Sequence, residues 1–181
     1  MYTHFLAIKK KYDDFYRKLI KDGVLPMRTT EKGFWHASIS HEVYEAFEKL
    51  GLKQSRHFLD LGSGDGSVVL IASLFGTRAV GVEHDPWLHQ VAGKIQRELG
   101  KLPYVPSAVF YNEDYHQHPL HGYDTIFLSP DAPFYRGVEN KLLKELNGRL
   151  IVYGNEFLPQ RLKKKKEINV NGTSVGVYER T

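Results

Sequence analysis

Three glycines at alternate positions, Gly62, Gly64 and Gly66, stand in the run Asp60-Leu61-Gly62-Ser63-Gly64-Asp65-Gly66. Lacking a Cβ, glycines let a chain turn sharply and let a ligand approach its backbone. The amides that follow open a helix, where an anionic group such as a carboxylate is favoured. Glu83, at the end of the next apolar run, offers a carboxylate suited to both hydroxyls of a ribose. Turn and downstream acid together are the parts of a nucleoside site at one edge of a parallel sheet. The spacing also speaks to the ligand's other end. A dinucleotide turn reads G-x-G-x-x-G, whereas Gly66 falls one place early and Asp60 precedes the first glycine. An acid inside the turn repels a pyrophosphate and suits a ligand with a cationic amino-acid end.

The elements needed to hold these residues are legible around them. Phe5, Ile8, Tyr12, Phe15, Tyr16 and Leu19 recur at three- and four-residue steps, which predicts a helix over about 3–21. Asp22-Gly23 and Pro26 end it. Met27 to Ser38 reads as irregular, and a second helix is expected from Ser40, with its hydroxyl as cap, to Leu50 before Gly51. From His57 the chain alternates: strand 57–61, helix 68–74, strand 78–83, helix 86–99 with Pro86 in its first turn, strand 108–111, strand 124–128, helix 138–146 and strand 149–153. Short apolar strands of this kind belong to a parallel sheet covered on both faces. Two further strands, 167–170 and 174–178, flank Asn171-Gly172-Thr173 as a hairpin. The fold class is therefore α/β: a doubly wound, seven-stranded, mostly parallel sheet with a C-terminal antiparallel hairpin and an N-terminal helical extension. Residues 1–39 form that extension and its loop, and 40–181 the ligand-binding domain.

These motifs resemble those of the class I S-adenosylmethionine-dependent methyltransferases. Asp60 to Gly66 looks like their first motif and Glu83 like their second acidic site, and the strand order with its terminal hairpin is similar from about Ser40 onward. The resemblance implies S-adenosyl-L-methionine as cofactor. Asp60 and the backbone of Gly62, Ser63, Gly64, Asp65 and Gly66 would hold its methionine end, and Glu83 its ribose. Asp114, with Tyr115 beside it, would meet the adenine amino group, and His84 would shape the rim of that pocket.

The segment after the fourth strand of such folds faces the transferred methyl, and here it reads Leu128-Ser129-Pro130-Asp131-Ala132-Pro133-Phe134. Ser129 and Asp131 are thus the candidate catalytic residues. Enzymes that methylate planar amines carry a tight Pro-Pro-aromatic turn there, which Asp131 and Ala132 interrupt in this chain. The turn and the run Leu146 to Tyr153 also look like archaeal and non-SET protein-lysine methyltransferases. Those enzymes share an aromatic, proline or hydroxyl-bearing loop before the helix that precedes the first strand; the loop here, Phe34-Trp35-His36-Ala37-Ser38, departs from their proline-containing version. Phe34, Trp35, Asp131 and Glu156 are candidates for a lysine channel. Protein lysine, an RNA base and a small metabolite remain as acceptor classes, beside a silent module that binds cofactor or nucleic acid without turnover.

Composition narrows the rest. With 181 residues, 41% hydrophobic and 25% charged, the chain is sized for one core plus an appendage. Its zero Cys excludes disulfides, thiolate metal sites and thiol catalysis. His116, His118 and His121 crowd one loop, but no helical i, i+4 pair supports a metal site, and a polar surface loop is expected. A net charge of +4 tolerates an anionic partner without demanding one. Lys163 to Lys166 are expected to be a solvated run just before an edge strand rather than a phosphate contact. No apolar run spans a bilayer, and Lys9 to Lys11 with Asp13 and Asp14 break up the N-terminus, so a cytoplasmic protein is expected.

Overall fold

The computed structural model of the protein describes residues 1–134 and 137–181. The chain runs α1 (Tyr2–Lys21), β1 (Met27–Thr29), β2 (Phe34–His36), α2 (Ser40–Lys49), β3 (His57–Leu61), α3 (Ser67–Ser73), β4 (Arg78–Glu83) and α4 (Pro86–Glu98). It continues through β5 (Val109–Asn112), β6 (Thr125–Leu128), α5 (Val138–Glu145), β7 (Arg149–Tyr153), β8 (Lys163–Val170) and β9 (Thr173–Glu179). Seven strands form one sheet in the order β5-β4-β3-β6-β7-β9-β8, parallel from β5 through β7 and antiparallel in the last two pairings. Strand order reverses on either side of β3, where β4 and β6 lie as its neighbours. Open α/β sheets bind ligands at such a switch point, outside the carboxyl ends of the strands.

Alternate side chains along the buried strands feed two apolar layers. On one face Phe58, Phe127 and Ile151 pack with Val43 and Phe47 of α2, Val69 to Ala72 of α3, and Phe5, Ile8 and Tyr12 of α1. On the other, Leu59, Leu61, Ile126 and Val152 pack with Val138 and Leu142 of α5. The apolar stripe of α1 is thus part of the main core, with the Phe5 ring stacked on Tyr44 at 4.3 Å between centroids. Burying each such side chain contributes about 1.5–3 kcal/mol.

Four local expectations are corrected. Residues 27–36 are not irregular: β1 and β2 pair antiparallel, with Met27 opposite His36, Arg28 opposite Trp35 and Thr29 opposite Phe34. Ser40 does not cap α2; Ile39 holds the cap position with no side-chain hydrogen bond. The lysine run lies inside β8, which begins at Lys163, rather than before the strand. As the outermost strand of the sheet, β8 meets water along most of its length, so lysines fit there, and they also discourage edge-to-edge pairing. Lys164 pairs with Glu167 and Lys165 with Glu179. The histidine loop is not wholly superficial, because His118 is buried between the Glu113 carboxylate and the Tyr123 hydroxyl. The hairpin forms as the Asn-Gly pair predicts, with positive φ at both Asn171 (51°) and Gly172 (96°).

Candidate functional site

A crevice opens at the carboxyl ends of β3, β4 and β6, lined by the 60–65 turn, Glu83, His84, Tyr115, Ser129, Asp131 and residues of the β1–β2 ribbon. The turn is built by backbone bonds to the neighbouring strand. The amides of Gly62 and Ser63 both donate to the Val82 carbonyl, at 2.9 and 3.0 Å. Gly64 and Gly66 have φ of 53° and 83°, in the left-handed region that glycine enters without steric cost. A Cβ on Gly66 would also sit 2.7 Å from the Ala92 Cβ and 2.8 Å from the Phe110 ring, so α4 and β5 leave no room for one.

Glu83 ties the turn to the start of α4. One carboxylate oxygen accepts from the Gly64 amide at 2.8 Å and the other from the Asp85 amide at 2.7 Å. Burial raises its pKa, opposed by these two bonds. Asp85 in turn caps α4 by accepting from the Leu88 amide at 3.0 Å. A carboxylate offers about four acceptor sites, so these bonds leave Glu83, which lines the crevice, with acceptor capacity to spare.

Asp60 is buried in the crevice lining, and no hydrogen bond reaches its carboxylate among the described residues. Burial first, then the charges of Glu83 and Asp65, push its carboxyl well above the usual range. A buried carboxylate of this kind is stabilised by an incoming cation. Asp65 differs. One of its oxygens accepts from the Tyr16 hydroxyl at 2.6 Å and the other from the Ser67 amide at 3.1 Å, while Tyr12 donates to its backbone carbonyl at 2.9 Å. Asp65 thus fastens the turn to α1, a role hidden in the sequence because Tyr12 and Tyr16 count there as members of an apolar stripe. Tyr16→Phe is expected to cost about 1.5–3 kcal/mol of stability, the range for a hydrogen bond to a charged group. Thermal unfolding checks it; an unchanged Tm would remove the strut.

The remaining predicted residues are brought to the same edge with different engagements. Ser63 lines the crevice, but its hydroxyl is buried without a partner and lies towards Gly81. His84 lines the rim and faces Glu31 at 3.3 Å. Asp114 is held by Lys32 at 2.5 Å and by the His116 ring at 3.0 Å, and it is Lys32 rather than Asp114 that lines the crevice. Burial alone would raise the Asp114 pKa, but the bonds from Lys32 and His116 outweigh it and lower the value. The Tyr115 hydroxyl is pushed up to about 12 by burial and then by Asp131 and Asp114. Asp131 accepts from the Phe34 amide at 2.5 Å, so the loop after β6 grips the ribbon. Of the four channel candidates, Phe34, Trp35 and Asp131 line the crevice, whereas Glu156 is exposed and lies outside it. Among the described residues no group of three or more acidic or histidine side chains is arranged to hold a metal, and no helix is long and apolar enough to cross a membrane.

Residues 37–105, which span the turn and Glu83, match the family described as Histone methylation protein DOT1. Solved structures resemble the chain over most of its length. An RNA methyltransferase from Salinibacter ruber, solved with S-adenosyl-L-homocysteine, is 22% identical, covers 78% of this chain and 92% of its own, and gives a TM-score of 0.68. The magnesium protoporphyrin IX methyltransferase of Synechocystis PCC 6803, with bound SAM, is 14% identical over 78% of this chain and 77% of its own, with a TM-score of 0.62. A tRNA (uracil-54, C5)-methyltransferase from Pyrococcus abyssi is 13% identical over 84% of this chain and 44% of its own, at 0.63. A sequence search of curated proteins finds no match. The fold is that of the class I, Rossmann-like methyltransferases.

Proposed function

We propose that the chain is an S-adenosylmethionine-dependent methyltransferase whose acceptor is a protein lysine side chain. The observation that carries the first half is Asp60: a buried carboxylate without a hydrogen-bond partner, set at a glycine turn and facing a crevice. The residues present fit the cofactor. Asp60 suits its ammonium group, the Glu83 carboxylate suits the ribose hydroxyls, and Gly62, with nothing within 4 Å of where a Cβ would stand, leaves the backbone open to it. Ser63 and Asp65 contribute backbone only, and His84 and Tyr115 form walls towards the adenine end.

When bound, the cofactor supplies a methyl already activated by a sulfonium, so the protein's task is alignment. The chain's own residues would hold an amine nitrogen in line with that methyl, with the Asp131 and Ser129 oxygens beside the proton the amine gives up. The lysine support comes from the mouth of the crevice, where Phe34, Trp35 and Tyr115 offer aromatic walls for an aliphatic stem and Asp131 with Ser129 offers oxygens to its nitrogen. Desolvation between such walls favours the neutral amine that transfer requires. The match to a histone methylation family points the same way.

The test is transfer of labelled methyl from the cofactor into a cell extract. Label is expected in material destroyed by protease and recovered as methyl-lysine after hydrolysis, and it should fall with an Asp60→Asn protein at limiting cofactor. Label lost to ribonuclease or surviving both digestions would replace lysine by RNA or a metabolite. No label in any fraction would overturn the enzyme reading.

A further inference from the structure

The β1–β2 ribbon is fastened to the end of every strand around the switch point. Arg28 reaches Asp85 after β4 at 3.2 Å, and Glu31 reaches His84 at 3.3 Å. At the ribbon's tip Lys32 bonds Asp114, after β5, at 2.5 Å, and the Phe34 amide bonds Asp131, after β6, at 2.5 Å. Trp35 closes the last side, lying over the glycine turn after β3 so that a Cβ on Gly64 would be 2.6 Å from its Nε1. The ladder register puts Arg28 and Trp35 on one face of the ribbon and Met27, Thr29, Phe34 and His36 on the other. The first face is turned to the strand ends. On the second, Met27 and Phe34 are each 46% exposed, and Phe34 also borders the mouth of the crevice.

Beneath this roof the crevice has about 110 Å³ of accessible space. Sites that bury a drug-sized ligand hold roughly 300–1,000 Å³. A nucleoside joined to an amino acid therefore needs more room than the crevice offers with the ribbon seated. The ribbon also closes its own hydrogen bonds. Its ladder is closed at the tip by the Thr30 amide on the Gly33 carbonyl at 2.8 Å and at the base by Ala37 on Pro26 at 3.2 Å. Before it lies Gly23, with φ of 76° and open space around it. Lifting the ribbon breaks the tethers and leaves its own hydrogen bonds intact. Two of the tethers are ion pairs whose cation, Arg28 or Lys32, is about half exposed, so water and salt reach them readily, and the Glu31–His84 contact lies at the surface beside them.

We propose that residues 27–36 are a gate over the cofactor crevice, with the Lys32–Asp114 pair as its latch. This rests on reading the crevice as a nucleoside site, and it adds that exchange of the nucleoside is governed by ion pairs outside the crevice's own floor. The ribbon carries its own reporter. The chain has two tryptophans, Trp35 on the ribbon and Trp87 on α4, so Trp87→Phe leaves Trp35 alone. In that background and without ligand, acrylamide quenching of Trp35 should increase with sodium chloride and with Lys32→Met, at unchanged far-ultraviolet circular dichroism. Association and dissociation of S-adenosylhomocysteine should both quicken by about fivefold in Lys32→Met, the change expected for loss of one ion pair near the top of the exposed range.

A second arm uses the absence of cysteine. Lys32 and His116 converge on the same Asp114 carboxylate, so Lys32→Cys with His116→Cys joined by a short bis-maleimide holds the ribbon down. Joined before loading, the protein should exclude S-adenosylhomocysteine; joined afterwards, it should retain it. Quenching that ignores salt and Lys32→Met, or cross-linked protein that exchanges ligand as fast as the unlinked form, overturns the gate. Quenching that responds while no nucleoside binds leaves the gate standing and removes the nucleoside reading beneath it.

Discussion

An Asp60→Asn protein is expected to lose cofactor affinity by about ten- to 150-fold, the worth of one hydrogen bond to a charged group at about 1.5–3 kcal/mol. It should nevertheless unfold at the same temperature as the parent or a higher one. The two effects have one origin. The Asp60 carboxyl is pushed up by burial and by Glu83 and Asp65, so the native chain holds that proton to higher pH than the unfolded chain does. The stability contributed by this group is present at acid pH and fades as pH rises through its raised folded value. At neutral pH asparagine removes a cost. For binding the sign is opposite, because an ammonium ligand needs the carboxylate. Affinity of the parent should rise with pH across the range in which Asp60 ionises, while the ligand's own ammonium stays charged, and Asp60→Asn should lose this dependence. Calorimetric titration at several pH values, with thermal unfolding alongside, measures both. Lower stability with unchanged affinity would make Asp60 a structural acid.

Glu83→Ala is expected to act on binding and stability together, in contrast with Asp60→Asn. It removes the acceptor shared by the Gly64 and Asp85 amides, and each buried N–H left without a partner costs about 1–3 kcal/mol. The glycine turn and the cap of α4 loosen at once, and the ribose contact is lost as well. Glu83→Gln should rescue little, since its NH2 must face one of two amide donors. A Glu83→Ala protein with parental Tm and parental affinity for S-adenosylhomocysteine would strike Glu83 from the site.

What the sequence discloses and what it conceals follow from how far apart the interacting residues lie. The parallel strands are written in continuous apolar runs, and the turn in its glycines, because both are local demands on neighbouring residues. The first half of β8 is hidden since an edge strand meets water on most of its length and takes lysines as readily as a loop would. The β1–β2 ribbon is hidden for a different reason. Three-residue strands show no usable alternation, and the ribbon is held by partners 53 to 97 residues away, as in Glu31 with His84 and Phe34 with Asp131. The same distance conceals Lys32, which reads as one more surface lysine until Asp114 is found beside it. Tyr12 and Tyr16 are legible as core residues, yet their hydroxyls reach Asp65 across 53 and 49 residues, so periodicity records their rings and not their tips. Asp60, Glu83 and Asp131 are visible early because chemistry at strand ends draws on residue type and position alone.

Titration calorimetry of the chain with S-adenosylmethionine and with S-adenosylhomocysteine shows whether the crevice is a nucleoside site. Saturable one-to-one binding of each is expected, with mutual competition between them and an affinity about ten- to 150-fold weaker in Asp60→Asn protein that remains folded. Flat heats from both ligands at millimolar concentration, with the chain folded, would contradict that reading.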